Sequence, residues 1–196
     1  MIVLKIEKMD ITFKTRNILS IKNLSFESGH INVIKGENGK GKTLFLTSLL
    51  SKNEYINAFK DSKNISTLGN SIYVSSKENL FDELTPLENL TYYSNVALDT
   101  FNKFNVAINL NERTSYLSGG EEEIISIAVA LSSEKDILLL DESTNFLDDA
   151  AFETYFKLIN EYSKNHLVIV ATHDSRFFSK DIKLFFLEDE TIKLKL

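Results

Sequence analysis

The chain has 196 residues, which suits one domain with at most a small insertion, and 43% of them are hydrophobic, enough to bury a substantial core. A formal charge of −6 without a basic stripe argues against a general nucleic-acid binder, and the lack of cysteine excludes disulfides and thiolate metal sites. No apolar run reaches the length of a membrane span, and the start, Met1 to Lys5, lacks the apolar region of a secretory leader.

Residues 1–35 read as short strands at Ile2–Ile6, Ile11–Phe13, Ile18–Phe26 and Ile31–Lys35, with Ser28-Gly29-His30 as a turn before the last. Leu44, Leu46, Leu49 and Leu50 then follow at helical spacing. The asparagine- and lysine-rich passage 52–70 reads as polar surface, and Ile72–Val74 as a short strand. Thr85-Pro86 followed by Glu88 marks a capped helix start with proline at the first helical position, and helical segments are predicted over 87–109. Ser118 opens another helix, with Ile124, Ile125, Ile127, Ala128 and Leu131 on one side. An apolar strand at Ile137–Leu140, a helix over about 148–163 and a second apolar strand at Leu167–Ala171 come next. Phe185–Leu187 and Ile192–Leu196 form a terminal hairpin through Asp189-Glu190. Continuous apolar strands alternating with helices predict an α/β fold with a mainly parallel sheet covered on both faces.

The chemistry is concentrated at Gly36-Glu37-Asn38-Gly39-Lys40-Gly41-Lys42-Thr43, a glycine-rich turn between a strand and a helix that fits the phosphate-binding loop. Its glycines let main-chain amides approach a ligand, and the positive end of the helix beginning near Leu44 adds attraction for phosphate. Lys42 can reach the β- and γ-phosphates, and Thr43 can offer a hydroxyl to Mg²⁺. A nucleoside triphosphate is therefore the predicted ligand. A second constellation, Ile137-Leu138-Leu139-Leu140-Asp141-Glu142, delivers two carboxylates at the end of a buried strand. Asp141 can hold Mg²⁺, directly or through water, and Glu142 can polarise an attacking water.

With Leu117-Ser118-Gly119-Gly120-Glu121 placed between those two motifs, the chain resembles an ATP-binding cassette (ABC) ATPase over essentially its whole length. The resemblance implies a P-loop NTPase of the ABC type, with an N-terminal antiparallel β subdomain and a short inserted helical subdomain. It places a core at 1–75 and 134–196 and the helical insertion at about 76–133. It implies ATP and Mg²⁺ as ligands, and two cassettes, identical or not, that sandwich nucleotide head to tail with Ser118 to Glu121 facing the other subunit's γ-phosphate. Asn145-Phe146-Leu147-Asp148 is similar to the loop that crosses that interface. His173 in Thr172-His173-Asp174 looks like the switch histidine that senses γ-phosphate, and Phe13 lies where an aromatic stacks on adenine, though it could equally be core.

Three features depart from the family pattern. Ser76 stands where the loop toward the transport partner carries glutamine, with a shorter reach to Mg²⁺ or water. Ile124 replaces a common arginine, and Glu121-Glu122-Glu123 put like charge near an incoming phosphate. The stretch from Lys42 to Ser118 is short, so the helical subdomain is abbreviated. The expected function is an ATP-hydrolysing transporter subunit, cytoplasmic and peripheral, docked through a region near Asn79–Leu90 on a separate membrane-spanning permease, with no nucleic acid as partner. A soluble ABC ATPase of translation or DNA maintenance, and a regulatory or immunity ATPase with little turnover, are the alternatives.

Overall fold

In the computed structural model, which describes residues 1–13, 15–51, 56–61, 63–75, 80–93 and 95–194, the N-terminus forms one long ladder. Strands β1 (Ile2–Phe13) and β2 (Arg16–Glu27) pair antiparallel, with a register shift between Ile11 and Thr12. Two short strands predicted for β1 are a single one: Glu7, Lys8 and Asp10 are exposed along it, so their polarity marks contact with water and not a break. Strand β3 (Ile31–Lys35) leads through the glycine turn into helix α1 (Lys42–Leu49).

The passage 52–70 is not simply polar surface. It holds β4 (Ile56–Lys60), β5 (Lys63–Ile65) and the single turn α2 (Thr67–Asn70). β4 joins the ladder antiparallel to β1, pairing Ile2 with Lys60 and Ile6 with Ile56, and buries Ile56 and Ala58. Ile56 and Ala58 are buried and Asn57 and Phe59 only partly so, and only pairing with β1 turns so short a run into structure.

Strand β6 (Ser71–Ser75) precedes the helical region, where α3 (Pro86–Tyr93) opens on a capping box. There Glu88 Oε2 accepts from the Thr85 amide at 2.7 Å, and Thr85 Oγ1 accepts from the Glu88 amide at 3.2 Å. Helix α4 (Asn95–Asn102) ends well before residue 109. Asn105, in the left-handed region at φ +52°, turns the chain there. Helix α5 (Gly119–Leu131), strand β7 (Ile137–Asp141), helix α6 (Asp149–Ser163), strand β8 (Leu167–Thr172), and the hairpin β9 (Lys183–Glu188) and β10 (Thr191–Leu194) complete the chain.

Two sheets result, β2-β1-β4-β5, antiparallel, and β10-β9-β3-β8-β7-β6, parallel apart from β10. Alternate residues of the central strands supply two separate cores. Val33, Leu138, Leu140 and Val170 pack with Ile125 and Ala128 of α5 and Phe152 and Tyr155 of α6. Ile34, Leu139 and Ile169 pack with Phe45 and Leu46 of α1 and with Leu4, Ile21 and Phe26 of the antiparallel sheet. Burial on both faces explains the unbroken apolar runs, each side chain contributing about 1.5–3 kcal/mol on removal from water. Since β3, β8 and β7 are adjacent and parallel, their carboxyl ends bring the glycine turn, His173 and Asp141-Glu142 together at one end of the strands.

Candidate functional site

The turn after β3 needs its glycines for different reasons. Gly39 (φ +77°) and Gly41 (φ +103°) hold left-handed backbone, and Gly41 caps α1, its carbonyl accepting from the Phe45 amide at 2.8 Å. Gly36 sits against the hairpin, where an added Cβ would come within 3.2 Å of Leu187 Cβ. Lys42 is only 5% exposed and folds back into the loop. Its Nζ donates to the carbonyls of Gly36 at 2.8 Å and Glu37 at 3.3 Å, and to Asn38 Oδ1 at 3.5 Å. Lys40 reaches Glu37 in an exposed pair, and Thr43 and Leu44 face outward.

Glu142 closes the other side. Its Oε1 lies 2.9 Å from Lys42 Nζ, off the hydrogen-bond direction, so this oxygen has no directed donor. Its Oε2 accepts from Thr172 Oγ1 at 3.2 Å and lies 2.9 Å from His173 Nδ1. Burial works to raise the Glu142 pKa, but the Lys42 ammonium beside it and the His173 ring outweigh it and hold the carboxyl below its ordinary value. Glu142 also sits at φ +51°, unusual for a side-chain-bearing residue, and is pinned there by its amide donating to the Ala171 carbonyl at 2.9 Å. Such strain costs about 1–3 kcal/mol and concentrates at functional sites.

Asp141 fits a divalent cation. It is 5% exposed, its Oδ2 accepts from Tyr73 Oη at 2.9 Å, and its buried Oδ1 has no hydrogen-bond partner. Hard cations take such oxygens, and Asp141 with Thr43 would hold Mg²⁺. Ser76 and the side chain of Phe13 lie outside the described residues. A cleft of about 990 Å³, bounded by Ile18, Gly36, Lys40, His173 and Leu187, leads away from the loop and is large enough for a nucleotide.

The Ser118 motif is built separately. Ser118 caps α5, Glu121 Oε2 accepting from both its amide and its Oγ at 2.7 Å, so the capping carboxylate occupies the serine hydroxyl. No residue of 118–121 lines the cleft. Phe146 packs over the two glycines: a Cβ on Gly119 would stand 2.9 Å from its ring, and one on Gly120 2.8 Å from its carbonyl oxygen. The sequence reading set those glycines toward a facing γ-phosphate and missed this close packing.

Glu123 differs from its neighbours in the acidic run. It is 6% exposed, its Oε2 accepting from the Phe146 amide at 3.2 Å while Oε1 has no partner. Its place four residues before Ile127, on the core side of α5, was the available signal. Desolvation, partly offset by the Phe146 and Asn145 amides, pushes its pKa up to about 7. A carboxyl that holds its proton more tightly when folded contributes stability fully present below the unfolded value of 4.5 and lost as pH rises through about 7. Glu123→Gln keeps the acceptor and removes the charge. It is expected to stabilise the fold by on the order of 2 kcal/mol at about pH 8 and by little at about pH 5, a difference that thermal unfolding at the two pH values measures.

A family described as ABC transporter matches residues 19–145, well over half of the chain. The chain belongs to that family. The cassette is 26% identical to the ribose import ATP-binding protein RbsA of Bacillus subtilis, over 85% of this chain and 39% of that one. It is 28% identical to the phosphate import ATP-binding protein PstB of Thermotoga maritima, over 80% and 75% of the two chains. It spans less than half the length of several curated relatives that it matches. Its fold is that of the ATP-binding cassette MJ0796, solved as a dimer in a post-hydrolysis state bound to ADP and Pi. That superposition has a TM-score of 0.79 at 24% identity and covers 100% of this chain and 98% of that one.

Proposed function

We propose that the cassette binds ATP with Mg²⁺ and hydrolyses it between two cassette subunits, coupling the cycle to a separate membrane-spanning partner. The observation that carries this reading is the convergence of Lys42, Glu142 and His173 at the carboxyl ends of β3, β7 and β8. Mg²⁺, when held by Asp141 and Thr43, supplies neutralisation of phosphate charge. Lys42 exchanges its contacts with Glu142 and the loop carbonyls for phosphate oxygens. Glu142, released from that pair and flanked by His173, accepts a proton from water aimed at the γ-phosphate. His173, about half exposed, is free to turn toward the phosphate. Ser118 and the amides at the start of α5 complete the site from the facing subunit once Glu121 lets the hydroxyl go.

Residues 1–75 and 134–196 form the nucleotide-holding part in this reading, and about 76–133 form the arm that meets the partner. That arm presents Phe81 and Tyr92, rings 5.4 Å apart and both exposed, and Val96 is exposed on the next helix, apolar surface suited to an apolar partner helix. No helix among the described residues is long and apolar enough to cross a membrane, so a peripheral position on the cytoplasmic face would depend on the partner. The test is phosphate release from ATP with and without Mg²⁺. Mg²⁺-dependent turnover by the purified chain is the expected result, and a chain that neither binds nor turns over ATP overturns the reading.

A further inference from the structure

One guanidinium joins the two loops that carry Glu142 and His173. Arg176, in the 3₁₀ turn Ser175–Ser179, forks onto Asp174 through Nε (3.1 and 3.0 Å to the two oxygens) and Nη2 (2.8 Å). Its Nη2 also donates to the Thr144 carbonyl at 3.0 Å and its Nη1 to the Leu147 carbonyl at 2.9 Å. The plane lies over the Phe152 ring, 4.3 Å from its centroid, so α6 fixes its height. Thr144 Oγ1 closes the circuit by donating to Asp174 Oδ2 at 2.8 Å.

These anchor points flank the chemistry. Thr144 is two residues past Glu142, and Asp174 is one past His173. Phe146, between the two held carbonyls, is the residue that packs on Gly119 and Gly120 and whose amide Glu123 receives. A shift in this loop is therefore a shift of Glu142, of His173 and of the helix tip bearing Ser118.

We propose that Arg176 is a positioning residue for hydrolysis, clamping the loop after Glu142 to the loop of His173 so that both groups and the Ser118 tip keep one relative geometry. The proposal rests on the hydrolytic reading above. It touches no part of the phosphate loop, so ATP binding by a single chain is left intact, and the effect falls on the chemical step. Lysine cannot replace it, since one ammonium lacks the planar fork that serves a carboxylate and two carbonyls at once.

The test measures kcat and KM for the full chain as wild type, Arg176→Ala and Arg176→Lys, with rates normalised to nucleotide-binding sites titrated with a fluorescent ATP analogue. Both variants are expected to lose kcat by about 10- to 100-fold, since small misplacements of catalytic groups cost that much, with KM within about twofold. Guanidinium ion at low concentration is expected to restore part of the rate to Arg176→Ala and none to Arg176→Lys. A normal kcat per site in both variants overturns the proposal while leaving ATP hydrolysis by the cassette standing. So does a loss that follows only the fraction of folded chain, with no guanidinium rescue. A wild type that hydrolyses nothing removes the hydrolytic reading, and this inference with it.

Discussion

Glu142→Gln is expected to stop turnover while leaving ATP bound, and to convert a transient pair of cassettes into one that survives a sizing column in ATP but not in ADP. General-base catalysis contributes about 10²–10⁴-fold, so kcat should fall within that range. The geometry adds a second expectation. In this structure Lys42 spends its charge on Glu142 at 2.9 Å, and nucleotide must compete with that pair. Glutamine removes the competitor and keeps an oxygen for Thr172 and His173, so ATP affinity should rise as turnover falls. Equilibrium titration and phosphate release on the same preparation measure both. Unchanged affinity would mean that the pair does not hold Lys42 back from phosphate, and continued hydrolysis would remove Glu142 from the role of base.

Lys42→Met is expected to do the opposite to binding. Losing a preorganised cation aimed at transferring charge costs about 10²–10³-fold in kcat, and ATP affinity should fall with it because the same ammonium meets the ground-state phosphates. Methionine fills the volume of the lysine stem, so the change is mainly one of charge. It leaves Glu142, 17% exposed, without the ammonium that faces its Oε1, and with Thr172 and His173 still against its Oε2. Removing one partner of a buried ion pair is costly, here about 2 kcal/mol given the solvent that Glu142 retains. For a chain of this size that is roughly a 4–8 °C fall in Tm. Calorimetry without nucleotide separates this destabilisation from the loss of binding. A variant as stable as the wild type would show that the pair contributes nothing net.

Both expectations join residues that the chain keeps about 100 positions apart, and the sequence could name each without showing that they meet. What it determined by itself was local. The loop from Gly36 to Thr43 needs positive φ, a lysine and a hydroxyl in fixed order, and the capping boxes at Thr85 and Ser118 need only four residues each. Asp141-Glu142 at the end of an apolar run, and the alternation of such runs with helices, were equally legible because pattern and spacing carry them.

The tertiary structure alone decided the rest, for reasons of partnership. β4 is a strand because β1 offers it an edge, although the passage 52–70 around it is rich in asparagine and lysine. Glu123 is buried because the loop at Phe146 closes over it. Gly119 and Gly120 are small because an aromatic ring and a carbonyl lie against them. Arg176 lies outside the motifs read from the sequence, and its proposed role rests on two loops, that of Thr144 and Leu147 and that of Asp174, converging on one planar cation. A sequence states which groups are available, but their pairing across distant strands depends on packing, and packing set which cation and which donors stand against Glu142.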